Sequence, residues 1–170
     1  DVMAWVLEAA TGQRFADLVS ERVWKPIGAE RSAGITVDVS GFTLASGGMF
    51  ATLRDTARIG QLIINRGKVG NRQVIPELWI DDIFDQKGDA TLPHLSTESI
   101  DPYYRSFVWG VGDGQGTVLA RGVHGQFIYV SPSTGMVIAM YSSWPNADGG
   151  SPDVGFTAAM AILESIKNSI

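Results

Sequence analysis

The 170-residue sequence predicts an α+β fold, with helices first, antiparallel strands next and one helix to close. Three observations carry this. Apolar residues recur at helical spacing from Asp1 to about Phe84. From Phe107 to Tyr141 they alternate or form short apolar runs, the last two joined by SPSTG, residues 131–135. Helical spacing then returns after Asp153. The chain therefore reads as a single partial domain, with a mainly helical and loop part (1–105) and a part holding the central strands and C-terminal helix (106–170).

Asp1 is placed to cap a first helix whose apolar face is Val2, Trp5, Val6 and Ala9, with Gly12 at the left-handed exit position. A second helix, from about Phe15 to Trp24, is expected to bury Phe15, Leu18 and Val19, and Pro26 stops it. Residues 27–50 read as loop and end in ASGGMF. Thr52 with Asp55 three residues on forms a variant capping box for a third helix. Its face runs through Thr56, Ile59, Gly60 and Ile63, and Gly67 ends it. Pro76 opens a short fourth helix to Phe84. Residues 85–105 show little periodicity and read as a long loop. In SFVWGV, Phe107, Trp109 and Val111 share one face, and VLAR, QFIYV and MVIAMY supply the further strands. The closing helix, Asp153 to Lys167, carries a stripe of Phe156, Ala159, Met160, Leu163 and Ile166.

Composition narrows the function classes. A net charge of −5 without any lysine/arginine run argues against nucleic acid as a partner. Cysteine is absent, which removes disulfides, thiolate metal sites and a cysteine nucleophile. No apolar run exceeds six residues, as in Met136 to Tyr141, which is too short to span a bilayer, so no membrane partner is expected. No signal peptide is visible, and the compartment stays open. Because the sequence opens directly on a helix with no initiator methionine, it reads as an internal piece of a longer chain.

The motifs that would carry chemistry are sparse. His94 and His124 lie far apart, with no HExxH and no carboxylate cluster, so no metal site or cofactor is expected. Gly110 to Gly116, GVGDGQG, joins two strand-like runs instead of opening a helix, so it reads as a strand connection and not a phosphate loop. A serine nucleophile needs a Gly-x-Ser-x-Gly elbow or a Ser-x-x-Lys pair, and neither occurs. Ser46, in ASGGMF, could be paired with His124 as base, or could simply occupy a turn. At RGVHGQFIYV, residues 121–130, Gly125 permits close approach to the backbone. N–H groups near His124, Gly125 and Gln126 could then bind a developing oxyanion; the alternative is that Gly122 and Gly125 only flank a strand edge.

Four stretches, in order, carry a resemblance: DVMAWVLEAATGQRFADLVSERVWKPIGAE, ASGGMFATLRDTARIGQLIINRGKVGNRQVIPELWIDDI, RGVHGQFIYVSPSTGMVIAMYSSWP and the closing helix. Together they resemble the C-terminal part of the serine β-lactamase and penicillin-binding-protein superfamily, in its class C-like branch. The HGQ and SSWP details resemble the 6-aminohexanoate-dimer hydrolase group within it. The resemblance implies part of a β-lactamase/transpeptidase-like fold, an antiparallel sheet flanked by helices with its N-terminal strands missing. It implies acyl-enzyme hydrolysis of a small amide or ester, with the Ser-x-x-Lys and tyrosine motifs upstream of residue 1 and the isolated chain inactive. The third family motif matches Val123-His124-Gly125, with Val123 where the family has lysine. By the same resemblance the Gln126 N–H would be the second oxyanion donor, and His124 and Gly125 would line the site. The rival expectation is a non-catalytic module that binds a ligand or self-associates through an unpaired sheet edge.

Overall fold

The computed structural model describes residues 1–85, 103–147 and 154–169. Helix α1 (Val2–Thr11) leads into α2 (Phe15–Val19), which continues as a wider π-type stretch, Ser20–Trp24. Short strands β1 (Gly34–Ile35) and β2 (Met49–Phe50) pair within the expected loop, and α3 (Leu53–Ile64) follows. Strands β3 (Lys68–Val69) and β4 (Arg72–Gln73) form a tight hairpin before α4 (Glu77–Phe84). Five antiparallel strands then build the main sheet in chain order: β5 (Tyr103–Arg105), β6 (Val108–Gly110), β7 (Val118–Gly122), β8 (Gln126–Ser131) and β9 (Met136–Met140). Helix α5 (Val154–Lys167) closes the chain.

Both faces of this sheet are covered. Val108, Val118 and Val130 point to the side taken by Ile63 of α3 and by Ile80 and Ile83 of α4. Leu119, Phe127 and Tyr129 alternate to the other side and pack with Ala159 and Leu163 of α5. Gly60 lets α3 lie close to the sheet, since a Cβ there would meet Val137 Cγ1 at 2.5 Å and Ile128 Cγ2 at 2.8 Å. A third cluster, Trp24 and Ile27 with Leu62, seats the π-type stretch against α3.

Several local expectations hold for the reasons given. Gly12 (φ 67°) closes α1, and its N–H donates to Glu8 O at 2.8 Å. The Thr52 side chain accepts from the Asp55 N–H at 3.2 Å, completing the cap of α3. Asp55 itself is buried and does more than cap. Its carboxylate accepts from the Glu30 N–H (2.8 Å), the Arg31 N–H (3.1 Å) and Arg58 (2.8 Å), which ties the preceding loop to α3. The Glu30 N–H leads the groups that, against the opposing effect of burial, hold its carboxyl below the usual range.

Elsewhere tertiary structure overrides the pattern. The Asp1 side chain does not cap α1; it accepts from the Ser46 N–H at 3.0 Å instead. Of α1, Ala4 is buried, whereas Val2, Trp5 and Val6 stand more than half exposed (66%, 57% and 51%). The left-handed exit from α3 begins one residue early, at Arg66 (φ 56°), with the Gly67 N–H reaching back to Leu62 O at 2.8 Å. Tyr103–Arg105 is a strand, inside the span expected as loop. Phe107 is not on the strand face: with Ser106 it has positive φ in the β5–β6 turn, and it is exposed, while Trp109 and Val111 do pack towards α5. Ile166 is exposed, and Lys167, one position on, is buried in its place. His94, Asp153 and most of the 85–105 loop lie outside the described residues.

Candidate active site

The β7–β8 hairpin pairs Gly122 with Gln126, so Val123, His124 and Gly125 form its three-residue loop. The Val123-His124-Gly125 motif therefore lies in a turn, with Gln126 opening β8. His124 and Gly125 both have positive φ (58° and 84°), a conformation that histidine enters more readily than most side chains. Gly125 is buried and cannot be enlarged, since a Cβ would meet Trp144 Cδ2 at 2.7 Å and Ser142 Cβ at 2.8 Å.

The segment after β9 folds back onto this loop. The His124 N–H donates to Ala147 O at 2.8 Å, and the Trp144 N–H donates to His124 O at 3.2 Å. His124 Nδ1 lies 2.8 Å from Trp144 O. A carbonyl oxygen only accepts, so Nδ1 carries a hydrogen and donates it. The Gln126 side chain donates from Nε2 to Ser142 O at 2.6 Å and to His124 O at 3.2 Å. Trp144 is held from below by Phe127, ring centroids 5.6 Å apart. Because its N–H is engaged by Ala147, His124 offers no backbone donor to an oxyanion, and the Gln126 N–H faces Gly122 across the β7–β8 ladder, which removes both from the group of N–H donors considered above.

Ser46 and His124 find different partners. The Ser46 hydroxyl lies 3.4 Å from the Asp1 carboxylate, and the His124 ring is turned to Trp144 O. The geometry therefore does not join them as nucleophile and base. Among the described residues, no group of three or more His, Cys, Asp or Glu is placed to hold a metal ion, and no helix is long and apolar enough to cross a membrane.

At the opposite end of the sheet, the β6–β7 connection (residues 111–117) is pinned by Asp113. Its carboxylate accepts from the Gln115 N–H at 2.9 Å, from the Thr117 hydroxyl and from Lys167 at 2.9 Å. Tyr129 adds a bond from its hydroxyl to Glu164 at 2.6 Å. Burial first, then the Glu164 carboxylate, pushes the Tyr129 phenol upward, so it stays a neutral donor. This network is structural, and the expected strand connection is what it holds. Neither the clamp on His124 nor the buried Lys167 was read from the sequence. A lysine on the apolar stripe, four residues after Leu163, was the available signal for the second.

Comparison with known proteins bears on this geometry. The family model described as Beta-lactamase matches residues 1–158. A 6-aminohexanoate-dimer hydrolase of Paenarthrobacter ureafaciens is 34% identical over 151 residues, 87% of this chain and 38% of that protein. A solved Bacillus anthracis structure, provisionally named a 6-aminohexanoate-dimer hydrolase, superposes with a TM-score of 0.80 at 30% identity, covering 97% of this chain and 42% of that one. A provisionally named β-lactamase from Bacteroides dorei DSM 17855 shares the fold at a TM-score of 0.59 and 17% identity, over 82% of this chain and 47% of that one. The chain thus spans about two fifths of the length of the 6-aminohexanoate-dimer hydrolases it matches.

Proposed function

The chain belongs to the beta-lactamase family, and we propose that it forms part of a serine hydrolase that cleaves a small amide or ester through an acyl-enzyme. The carrying observation is the 34% identity to a 6-aminohexanoate-dimer hydrolase, together with the Val123-His124-Gly125 loop at the end of the sheet. In this reading a serine oxygen adds to the substrate carbonyl, and backbone N–H groups, the serine's own among them, stabilise the negative oxygen that results. The leaving amine or alcohol departs with a proton, and water then releases the acid. His124 and Gly125 line the site. Val123 carries no charge where the family has lysine, so this position supplies no cation for a β-lactam carboxylate. The reading requires no metal and no cofactor.

The 170 residues contain no Ser-x-x-Lys and no Tyr-x-Asn, so the nucleophile and tyrosine are assigned to polypeptide outside them. Two experiments test this. The isolated chain should show no enzyme-level turnover of p-nitrophenyl acetate or nitrocefin, and turnover would overturn the assignment. The coding sequence upstream of Asp1 should carry both motifs in frame, and protein expressed from there through Ile170 should hydrolyse the linear 6-aminohexanoate dimer or a p-nitrophenyl ester. Inactivity of that longer protein on amides and esters alike would defeat the hydrolase reading.

A second reading is a non-catalytic module that self-associates. Strand β9 favours it, because Met136–Met140 has no charge and no proline and is an edge of the main sheet among the described residues. Light scattering decides: a concentration-independent monomer removes this alternative.

A further inference from the structure

We infer that the outer face of α1 is the seat of the polypeptide that precedes Asp1 in the longer protein. This rests on the reading above, which assigns the nucleophile to that polypeptide, but it concerns packing and is tested without turnover. The starting observation is the orientation of α1. Successive residues of an α-helix lie about 100° apart, so Val2, Val6 and Ala9 stand on the side opposite Ala4. Ala4 is buried, and Glu8, on the same side of the helix, is half-buried with its carboxylate accepting from the Phe15 N–H at 2.7 Å. The helix thus turns its one charged side chain inward and its apolar side outward, the reverse of an amphipathic helix at a solvent boundary.

The apolar surface continues beyond the helix. Trp5 packs edge-on against Phe42, and the Asp1 carboxylate accepts from the Ser46 N–H at 3.0 Å, so the loop before β2 adjoins α1. That loop leads to Met49 and Phe50, which are exposed as well. An apolar surface of this extent is the mark of an interface, and a ten-residue helix with one buried residue is too short to be stable in water by itself. Two observations select the occupant. The chain matches 38% and 42% of its relatives' lengths, so about three fifths of each relative lies outside the matched part and is available to cover such a face. Asp1 is held at the edge of the face, so a segment joined to its amino group starts out beside it and docks at the high effective concentration of a covalent link. A second copy of the chain has no such advantage.

The test is thiol accessibility. The 170 residues hold no cysteine, so Val6→Cys places on this face a reporter that peptide mass spectrometry identifies. In the protein expressed from the upstream coding sequence through Ile170, this thiol should react with iodoacetamide at least about tenfold more slowly than in the same protein unfolded in urea. In the 170-residue chain it should react within a few fold of the unfolded rate at every protein concentration. Hydrogen exchange on the unsubstituted proteins gives a second measurement that no substitution can disturb. Peptides from Val2–Thr11 should exchange at least about tenfold more slowly in the longer protein, while those from β7 and β8 stay protected in both and report a folded sheet. A freely reactive thiol or an unprotected α1 in the longer protein would overturn the inference. So would protection in the 170-residue chain that grows with concentration, since a second copy would then be the occupant. A covered α1 in a longer protein that hydrolyses no amide or ester would defeat the hydrolase reading alone, and hydrolysis with α1 still exposed would defeat this inference alone.

Discussion

Helices α1 and α5 have similar apolar stripes and opposite fates. Leu163 and Ala159 of α5 are 1% and 4% exposed against Phe127 and Tyr129, whereas Val2 and Val6 of α1 face outward. Periodicity identifies the face that avoids water; it does not say which surface will cover it. On α5 the partner is a five-stranded sheet formed by the same chain. On α1 only Ala4 is buried, and Trp5 packs edge-on against the Phe42 ring, with centroids 5.2 Å apart. The stability of the domain should therefore be concentrated at the sheet, with little of it in α1.

The sharpest way to break that contrast is Leu163→Ala. It should cost about 2–5 kcal/mol by removing buried methyl groups and leaving a cavity, read from the urea midpoint at unchanged slope. A cost below 1 kcal/mol would mean that α5 is not anchored as described. Next is Lys167→Met, which removes the partner of Asp113 and should cost about 1.5–3 kcal/mol, as for hydrogen bonds to charged groups. Its signature lies in pH. Burial alone would raise the Asp113 carboxyl, but the Thr117 hydroxyl, Lys167 and the loop N–H groups hold it below its usual value. The stability it contributes is thus complete above the unfolded value of about 4 and is lost as pH falls through the lower folded value. The parent should weaken on acidification below about pH 4, and Lys167→Met should show a shallower acid limb. Equal slopes would remove the ion pair from the account.

On α1 the effects should be smaller. Gly12→Ala places a side chain at φ 67° and should cost about 1–2 kcal/mol, lost mainly as helicity at the N-terminus by circular dichroism. Val6→Ser should stay within about 0.5 kcal/mol of the parent in thermal denaturation, as an exposed substitution that leaves the sheet untouched. A fall of several kcal/mol there would show that α1 is packed in solution.

The site was legible to an uneven degree. The turn around His124 and the strand from Gln126 follow from the glycines and the apolar run that flanks them. That residues 123–125 are all loop follows from the register, which pairs Gly122 with Gln126 and depends on where the neighbouring strands end. The clamp was out of reach for another reason. Its long-range side-chain bonds meet backbone carbonyls sixteen and twenty residues away, and carbonyls carry no sequence signature. Phe107 was misplaced because an alternating pattern continues through a tight turn as readily as along a strand, and only the positive φ separates the two.

By itself, then, the sequence determined the order and type of the long elements, the cap of α3, the exit of α1 and the placement of three central strands. All of these are governed by neighbours within a few residues, through propensity, capping and side-chain period. Only the tertiary structure decided which apolar stripe is covered, why Lys167 is inside, and how the loop before Gln126 is held. Each of these depends on groups distant in sequence, whose meeting is set by packing and not by local preference.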